Sequence, residues 1–294
     1  MKLIEVLHDN EFKNGFKLLG VKPTLNQRDV HKYLKTNNSK DDIHWFLSQW
    51  WTPYDLSLGQ SNIKNNFYEF KTKSRKVTLE NNKLFLYLNG KEEYLGKNRQ
   101  REGSWAHLLL EQDFVRKIDV NKTSLFNLNL NFNIRKVNEF KSLKYDKDIH
   151  AAQFLLYFVV FARDDDEDYN YQGFNQEFLW FGVPLYDNRL DKFEHIYHVD
   201  SGAEGTTNRL IYLMDSSNYL KEKIIFNKDY EININLMPHI KKALDFAKKN
   251  KYINQDAKKY EIGYLNIGWE IPGAYEVEAS INKISIKTDY LKGR

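Results

Sequence analysis

The clearest pattern in the chain is an unbroken alternation of apolar and polar residues between positions 126 and 134. Phe126, Leu128, Leu130, Phe132 and Ile134 occupy every second position, and asparagines fill the positions between them. Successive side chains of a β-strand point to opposite faces, whereas a helix would distribute the asparagines around its circumference. The segment is therefore predicted to be a strand with one buried face and one solvated, amide-covered face.

Strand-like segments recur along most of the chain after residue 65. Residues 67–88 are predicted to form a meander that contains a tight turn at Asn81-Asn82. Residues 150–162 are apolar on both faces, as in a central strand that is covered on both sides. Later strands are predicted at 177–183, 194–200, 209–214, 223–226, 230–236, 260–269 and 275–287. The alternation slips near Asn282-Lys283 in the last of these, which predicts a β-bulge.

One helix is predicted, from Pro238 to about Asn250. Proline suits the first turn of a helix, and Ile240, Leu244 and Ala247 form an apolar stripe at helical spacing. A single helix among many strands predicts a mainly β chain, an antiparallel β-sandwich of the jelly-roll or concanavalin-like type. Residues 1–65 are less regular and rich in aromatics, and are predicted to be an N-terminal extension packed on a sandwich domain of residues 66–294.

Composition narrows the partners that the chain is expected to have. Lys and Arg number 44 against 40 Asp and Glu, and this charge is spread along the chain, whereas nucleic-acid-binding proteins concentrate basic charge on one face. The longest apolar run, Phe154 to Ala162, has about half the length that a membrane span requires. We therefore expect neither nucleic acid nor membrane as a partner, and the sequence predicts no oligomeric state.

The sequence also bears on the cellular compartment of the protein. The chain contains no cysteine, which excludes disulfides and thiolate sites. Charged residues interrupt the apolar positions near Met1, so no signal-peptide pattern is visible and a cytoplasmic location is expected. A processed, exported form is the alternative.

The strongest candidate for chemistry is the segment 105–114. If it forms a strand, Trp105, His107, Glu111 and Asp113 share one face. A stacking ring beside hydrogen-bonding groups can bind a sugar, and two carboxyls about 5 to 10 Å apart can cleave a glycosidic bond. Glu111, Asp113 and His107 are thus candidate catalytic residues and Trp105 is a candidate ligand-binding residue. The alternative is an ordinary solvated strand face.

Further candidate ligand-binding residues lie on or beside other predicted strands. Trp180 and Trp269 are strand residues, and two tryptophans that open onto one cleft would make a stacking site. Polar partners for sugar hydroxyls would come from positions at strand ends and in a loop at the cleft rim: Gln153, Arg189 and Glu204.

The densest run of charge is acidic and lies between residues 164 and 168. Its candidate metal ligands are Asp164, Asp166 and Asp168, because calcium binds six to eight oxygen ligands. The spacing matches no EF-hand, so a solvated loop is the alternative. No other cofactor is expected.

The pattern between residues 66 and 287 resembles the concanavalin-like or jelly-roll sandwiches of lectin modules, glycoside hydrolases and polysaccharide lyases. It consists of short strands, an amide-covered face, scattered tryptophans and one helix. The resemblance implies an oligo- or polysaccharide partner. Glycan hydrolases of that shape often carry acidic residues at alternate strand positions, and Glu111 with Asp113 is the match in this chain. Three functions stay open: saccharide binding, glycan cleavage by Glu111 with a second carboxylate such as Asp113, Glu204 or Glu270, and a non-catalytic structural or assembly role.

Overall fold

A computed structural model describes residues 3–24, 28–36, 42–140, 146–163, 177–202, 205–273 and 275–289. The strands in these ranges are β1 Leu3–Glu5, β2 Phe16–Leu19, β3 Val30–Leu34, β4 Trp45–Ser48, β5 Gln60–Lys64, β6 Phe67–Lys71, β7 Arg75–Glu80, β8 Lys83–Asn89, β9 Ala106–Asp119, β10 Phe126–Glu139, β11 Gln153–Arg163, β12 Phe178–Asp187, β13 Ile196–Val199, β14 Leu210–Leu213, β15 Tyr230–Asn235, β16 Lys259–Ile271 and β17 Tyr275–Asp289. The helices are α1 Gly90–Glu93 and α2 Met237–Lys249.

The strands form two sheets that pack face to face. An eight-stranded sheet has the order β15-β10-β17-β8-β7-β6-β5, with β1 paired to β17. A nine-stranded sheet has the order β13-β14-β12-β11-β16-β9-β4-β2-β3. Most neighbours are antiparallel, and two pairs, β12 with β14 and β2 with β4, are parallel. The predicted mainly β sandwich with one long helix is therefore confirmed.

The hydrophobic core lies between the two sheets. The five apolar residues of the 126–134 alternation point into it, and each is fully buried. Their asparagine neighbours lie on the opposite, outward face of the eight-stranded sheet, where Asn127 Nδ2 donates to Asn233 Oδ1 over 2.9 Å. Burial of one face of each strand and solvation of the other is what the period of two requires.

Several local predictions are confirmed by the structure. Asn81 and Asn82, both with positive φ, form the two-residue turn between β7 and β8. The pairing register of β10 with β17 shifts at Asn282, where the bulge was predicted. Helix α2 begins one residue before Pro238 and carries Lys248 and Lys249 in its last turn, next to the negative end of the helix dipole.

One of the predicted strands is not found in the structure. Residues 223–226 do not form a strand, and Ile225 and Phe226 are exposed there, because apolar content alone does not supply a pairing partner. Residues before position 66 contribute β1 and β5 to the eight-stranded sheet and β2, β3 and β4 to the nine-stranded sheet. In the described ranges, no helix is long and apolar enough to cross a membrane.

Candidate functional site

The nine-stranded sheet has a second face, turned away from the core, which we call the outer face. A separate group of buried apolar residues lies on it: Leu155, Tyr157, Val159, Phe161, Phe178, Trp180, Leu213 and Tyr264. Both faces of the central strands are thus covered, which explains why 150–162 is apolar at nearly every position.

Connections from the two sides of the sheet meet over the outer face. The indole Nε1 of Trp180 on β12 donates to Thr207 Oγ1 over 3.1 Å, which holds the connection between β13 and β14 against the face. Gly205 lies two residues before Thr207, and a β-carbon added to Gly205 would lie 3.0 Å from the ring of Trp51 and 3.1 Å from Pro23. Those residues follow β4 and β2, whereas β14 is separated from β4 by the strands β12, β11, β16 and β9. The outer face is therefore covered in part by these connections, and we call the strip of the face that runs beneath and beside them the groove.

A row of polar side chains crosses four adjacent strands at one end of this groove. Asp187 on β12 is the register partner of Gln153 on β11, Gln153 is the partner of Glu270 on β16, and Glu270 is the partner of His107 on β9. Because neighbouring strands lie about 4.8 Å apart, this polar row spans roughly 15 Å. Gln153 Nε2 donates to Asp187 Oδ2 over 2.8 Å.

A β-bulge brings Asp187 into the polar row. Leu179, Phe181, Val183 and Leu185 alternate into the core, and continued alternation would also have turned Asp187 toward the core. The register between β11 and β12 shifts at Phe154/Leu155, and this extra residue turns Asp187 onto the outer face. Arg189 then pairs with it, with Nη2 2.6 Å from Asp187 Oδ2.

The pKa of Glu270 is raised and the pKa of His107 is lowered, and both shifts favour the neutral form of the side chain. Burial raises the pKa of Glu270 to about 8, and the nearby Asp200 carboxylate also raises it. Burial lowers the pKa of His107 to about 4, and Arg75 lowers it further. Their side chains approach to 3.9 Å, yet both groups are neutral at pH 7, so this contact is not an ion pair at that pH. Glu270 consequently holds a proton that it can donate.

Backbone contacts orient the imidazole of His107. Its Nδ1 lies 2.6 Å from the Trp105 carbonyl oxygen, which can only accept, so Nδ1 carries the proton and Nε2 faces Glu270 as an acceptor. The ring of Trp50 meets the imidazole edge-on at 5.7 Å. Trp105, half-buried, directly precedes β9 and lies under the guanidinium of Arg99 at 5.5 Å. The Trp50 indole and the Trp105 carbonyl thus both contact the His107 ring.

Arg75 supports the polar row from inside the core. It lies on β7 of the opposite sheet, is fully buried, and pairs with the equally buried Glu93 over 2.5 Å. Its Nη1 donates to the His107 carbonyl over 2.6 Å and its Nη2 to the Trp50 carbonyl over 3.3 Å. The ion pair therefore joins the two sheets at the position where the backbone presents His107.

A second polar cluster, the Arg28 cluster, lies further along the same face. The Arg28 guanidinium binds both carboxylate oxygens of Asp113 and lies 3.5 Å from Glu111. Ser48 also donates to Glu111. Burial raises the pKa of Glu111, and the positive charge of Arg28 opposes that shift. The Glu111 side chain is only 1% exposed, against 15% for Glu270.

The structure brings some of the predicted site residues together. His107 and Gln153 belong to the polar row, Glu111 and Asp113 lie on the same outer face, and Trp105 adjoins His107. Trp180 also lies on that face, with its indole nitrogen bonded to Thr207. Arg189 braces Asp187 at the end of the row. Glu204 and the candidate calcium ligands Asp164, Asp166 and Asp168 lie outside the described residues.

The prediction that Trp269 is a ligand-binding residue is wrong. Trp269 is fully buried in the core between the sheets, where Nε1 donates to the Leu86 carbonyl over 3.1 Å, so it cannot stack on a ligand. The alternation of Leu265, Ile267, Trp269 and Ile271 with Asn266, Gly268 and Glu270 contained this information. That pattern assigns the tryptophan to the apolar face and Glu270 to the polar face.

Of the residues in the polar row, Glu270 was predicted only as one candidate for a second carboxylate beside Glu111, and Asp187 was not among the predicted site residues. The alternation along β16 could have identified Glu270 as an outer-face residue. No local signal could have placed Asp187 there, because its orientation depends on a bulge. Among the described residues, no three His, Asp or Glu side chains are arranged to hold a metal ion.

The described residues also enclose a cavity of about 500 Å³ away from the outer-face groove. It lies beside the β5–β6 end of the eight-stranded sheet and is lined by Pro53, Tyr54, Asp55, Leu58, Gly59, Gln60, Lys71, Thr72 and Lys73. Its two lysines are already paired, Lys71 with Glu69 and Lys73 with Glu92. The Asp55 carboxylate accepts hydrogen bonds from Gln49 and Ser57. Each charged side chain of the lining thus already has a partner within the protein.

No protein-family model and no curated protein matches the chain. Solved structures that align with it include a family 12 xyloglucanase from Bacillus licheniformis, with 9% identity and a TM-score of 0.44 over 79% of this chain and 97% of that one. Endoglucanase Cel12A from Rhodothermus marinus aligns with 8% identity and a TM-score of 0.40, over 79% and 97%. The family 11 xylanase from Neocallimastix patriciarum aligns with 10% identity and a TM-score of 0.39, over 83% and 100%. Similarity at this level does not assign a family or a function to the chain.

Proposed function

We propose that the protein binds a saccharide at the polar row of the outer face, with Glu270 and His107 at the centre of the site. The observation that carries the proposal is the lateral row Asp187–Gln153–Glu270–His107 across four adjacent strands. These side chains present a protonated carboxyl, a neutral imidazole, an amide and a carboxylate within roughly 15 Å. Such a mixture of donors and acceptors is suited to the hydroxyl groups of a sugar.

Aromatic side chains beside the row support the same ligand class. Trp50 contacts the His107 ring, and Trp105 lies two residues before His107 in the chain, with its carbonyl on the imidazole. Both indoles are half-buried, so part of each ring is accessible to a ligand. Indole faces pack against the C–H surfaces of a sugar ring while polar groups bind its hydroxyls.

The binding proposal is tested by a glycan array followed by calorimetric titration of each ligand that binds. Glu270→Ala, His107→Ala and Trp105→Ala are each expected to weaken binding about tenfold or more, because each removes a hydrogen bond or a packing surface. Glu278→Ala is the matched control, since Glu278 pairs with Arg135 on the other sheet. No binding above background, or equal losses in Glu270→Ala and the control, would overturn the proposal.

A second candidate function is hydrolysis of the bound saccharide, with Glu270 as the proton donor and Asp187 as the second carboxylate. Glu270 and Asp187 are separated by the single strand β11, so their Cα atoms lie about 10 Å apart on one face. Glycosidases hold their two carboxyl groups about 5 to 10 Å apart, a separation that two side chains at this spacing can reach. Their environments differ, because Glu270 is desolvated while Asp187 is paired with Arg189. That contrast supports different roles for the two carboxyls.

Glu270→Gln separates hydrolysis from binding. Glutamine imitates the shape of a protonated glutamic acid but cannot donate the proton that a leaving group needs, so binding is expected to persist while release of reducing ends stops. Wild-type activity should fall as pH rises through about 8, where Glu270 loses its proton. Absence of reducing-end release from every saccharide that binds would leave binding as the function.

A further inference from the structure

The accessibility of the outer face falls steeply along the groove. At the polar row, the side chains of His107 and Glu270 are 16% and 15% exposed. Four residues further along the same strands, Glu111 is 1% exposed and its register partner Asn266 is also buried. Solvent therefore reaches His107 and Glu270 and is excluded at Glu111, whereas Asp113, two residues beyond Glu111, is 41% exposed.

Arg28 is the residue that fills the groove at the sealed end. Its guanidinium carbon lies 3.9 Å from the centre of the Phe46 ring and 5.3 Å from that of Tyr264, so it covers both rings. The same group binds Asp113 through two nitrogens and lies beside Glu111. With its side chain only 7% exposed, Arg28 occupies the aromatic and acidic surface that a longer ligand would otherwise contact.

We propose that Arg28 closes the groove, so that the site is a blind pocket that takes the end of a saccharide chain and excludes internal segments of a polymer. This inference rests on the proposed saccharide binding and adds the class of ligand. The Cα atoms of His107 and Glu111 are separated by four residues of strand, or roughly 13 Å. Because Glu111 is buried, the accessible depth is less than this distance and holds at most about two or three sugar units. A chain with both ends extending beyond the site would have to displace the Arg28 ion pairs.

The first arm of the test uses thiol labelling and needs no saccharide. The chain contains no cysteine, so an introduced cysteine reports on one position alone. Two proteins are compared, Ser48→Cys/Glu111→Gln and the same protein with Arg28→Ala, which differ only at Arg28. Ser48 is fully buried at the sealed end, and removal of Arg28 is expected to speed its reaction with iodoacetamide about tenfold or more.

Arg135→Ala in the Ser48→Cys/Glu111→Gln background is the matched control. Arg135 also pairs with a glutamate and lies over an aromatic ring, Phe85, but on the eight-stranded sheet. It should leave the labelling rate unchanged. Labelling of Ser48→Cys at the same rate with and without Arg28 would overturn closure of the groove by this residue.

The second arm measures the affinity of linear glucose and xylose oligomers from two to six units. The wild-type protein is expected to reach its full affinity at about three units, given the depth of the pocket. In Arg28→Ala/Glu111→Gln, affinity should continue to rise up to the hexasaccharide.

A wild-type affinity that rises through six units would overturn the blind pocket while leaving saccharide binding intact. No binding by any oligomer would instead remove saccharide binding and chain-end recognition, and the labelling arm would still decide whether Arg28 seals the groove.

Discussion

The Glu270 carboxyl and the His107 imidazole face each other as register partners on adjacent strands, 3.9 Å apart, and each is held in its neutral form at pH 7. Each pKa shift has burial as its largest cause, acting on an acid in one case and on a base in the other. The pair therefore stores a donatable proton beside an unprotonated acceptor on a face that solvent can reach.

The pH dependence of stability should reveal the raised pKa of Glu270. Between about pH 4.5, the ordinary pKa of a glutamate, and pH 8, the folded protein keeps the Glu270 proton while the unfolded chain has lost it, so the contribution of Glu270 to stability falls as pH rises. The slope contributed by this group approaches about 1.4 kcal/mol per pH unit. Urea unfolding at several pH values measures it, and Glu270→Gln should remove this contribution. An unchanged slope in Glu270→Gln would contradict a raised pKa.

The lowered pKa of His107 predicts the opposite dependence at lower pH. The folded protein keeps the imidazole neutral down to about pH 4, whereas the unfolded chain takes up a proton below its ordinary value of 6.5. The contribution of His107 to stability is thus fully present above pH 6.5 and is lost as pH falls toward 4. NMR titration of the His107 ring tests this directly, and a midpoint near 6.5 would contradict it.

Removal of Arg28 should destabilise the protein although Arg28 lies outside the core between the two sheets. Arg28→Ala leaves Asp113 and the buried Glu111 without their cation, at an expected cost of about 3–5 kcal/mol. Adding Glu111→Gln should recover part of this loss, because the amide carries no charge. Chemical unfolding of the two single variants and the double variant gives the coupling energy. Strictly additive effects would show that Arg28 and Glu111 do not interact.

The buried Arg75–Glu93 pair should behave as a support of the site. Arg75→Met is expected to destabilise by about 3–5 kcal/mol because it leaves Glu93 charged and unpaired in the core. The double variant Arg75→Met/Glu93→Leu should regain most of that stability, yet lacks the hydrogen bonds to the His107 and Trp50 carbonyls. Saccharide affinity should therefore remain reduced in the stable double variant. Full affinity there would limit the pair to a role in folding.

Substitutions of Trp269 and Trp105 should have different effects on stability and on saccharide binding. Trp269→Ala opens a cavity in the core next to Phe154 and is expected to cost about 3–5 kcal/mol. Trp105→Ala, at a half-buried position, should cost less stability and reduce saccharide affinity more. Unfolding and titration of both variants measure the contrast. Equal effects of the two changes on affinity would argue against Trp105 as a contact of the ligand.

The sequence by itself determined those features that depend on neighbours along the chain. The alternation of Phe126 to Ile134, the turn at Asn81-Asn82, the slip at Asn282 and helix α2 all follow from backbone geometry that repeats every two or 3.6 residues. Taken together, these local patterns were sufficient to predict a mainly β sandwich with one long helix.

Only the tertiary structure decided which of these elements lie side by side. His107 meets Glu270, and Gln153 meets Asp187, because β9, β16, β11 and β12 are neighbours in the sheet, an order that depends on pairing between distant segments. The bulge that turns Asp187 onto the outer face and the placement of Arg28 over Glu111 likewise arise from long-range packing. Local periodicity specifies that a residue lies on one face of its strand, but the sheet specifies what that face contacts.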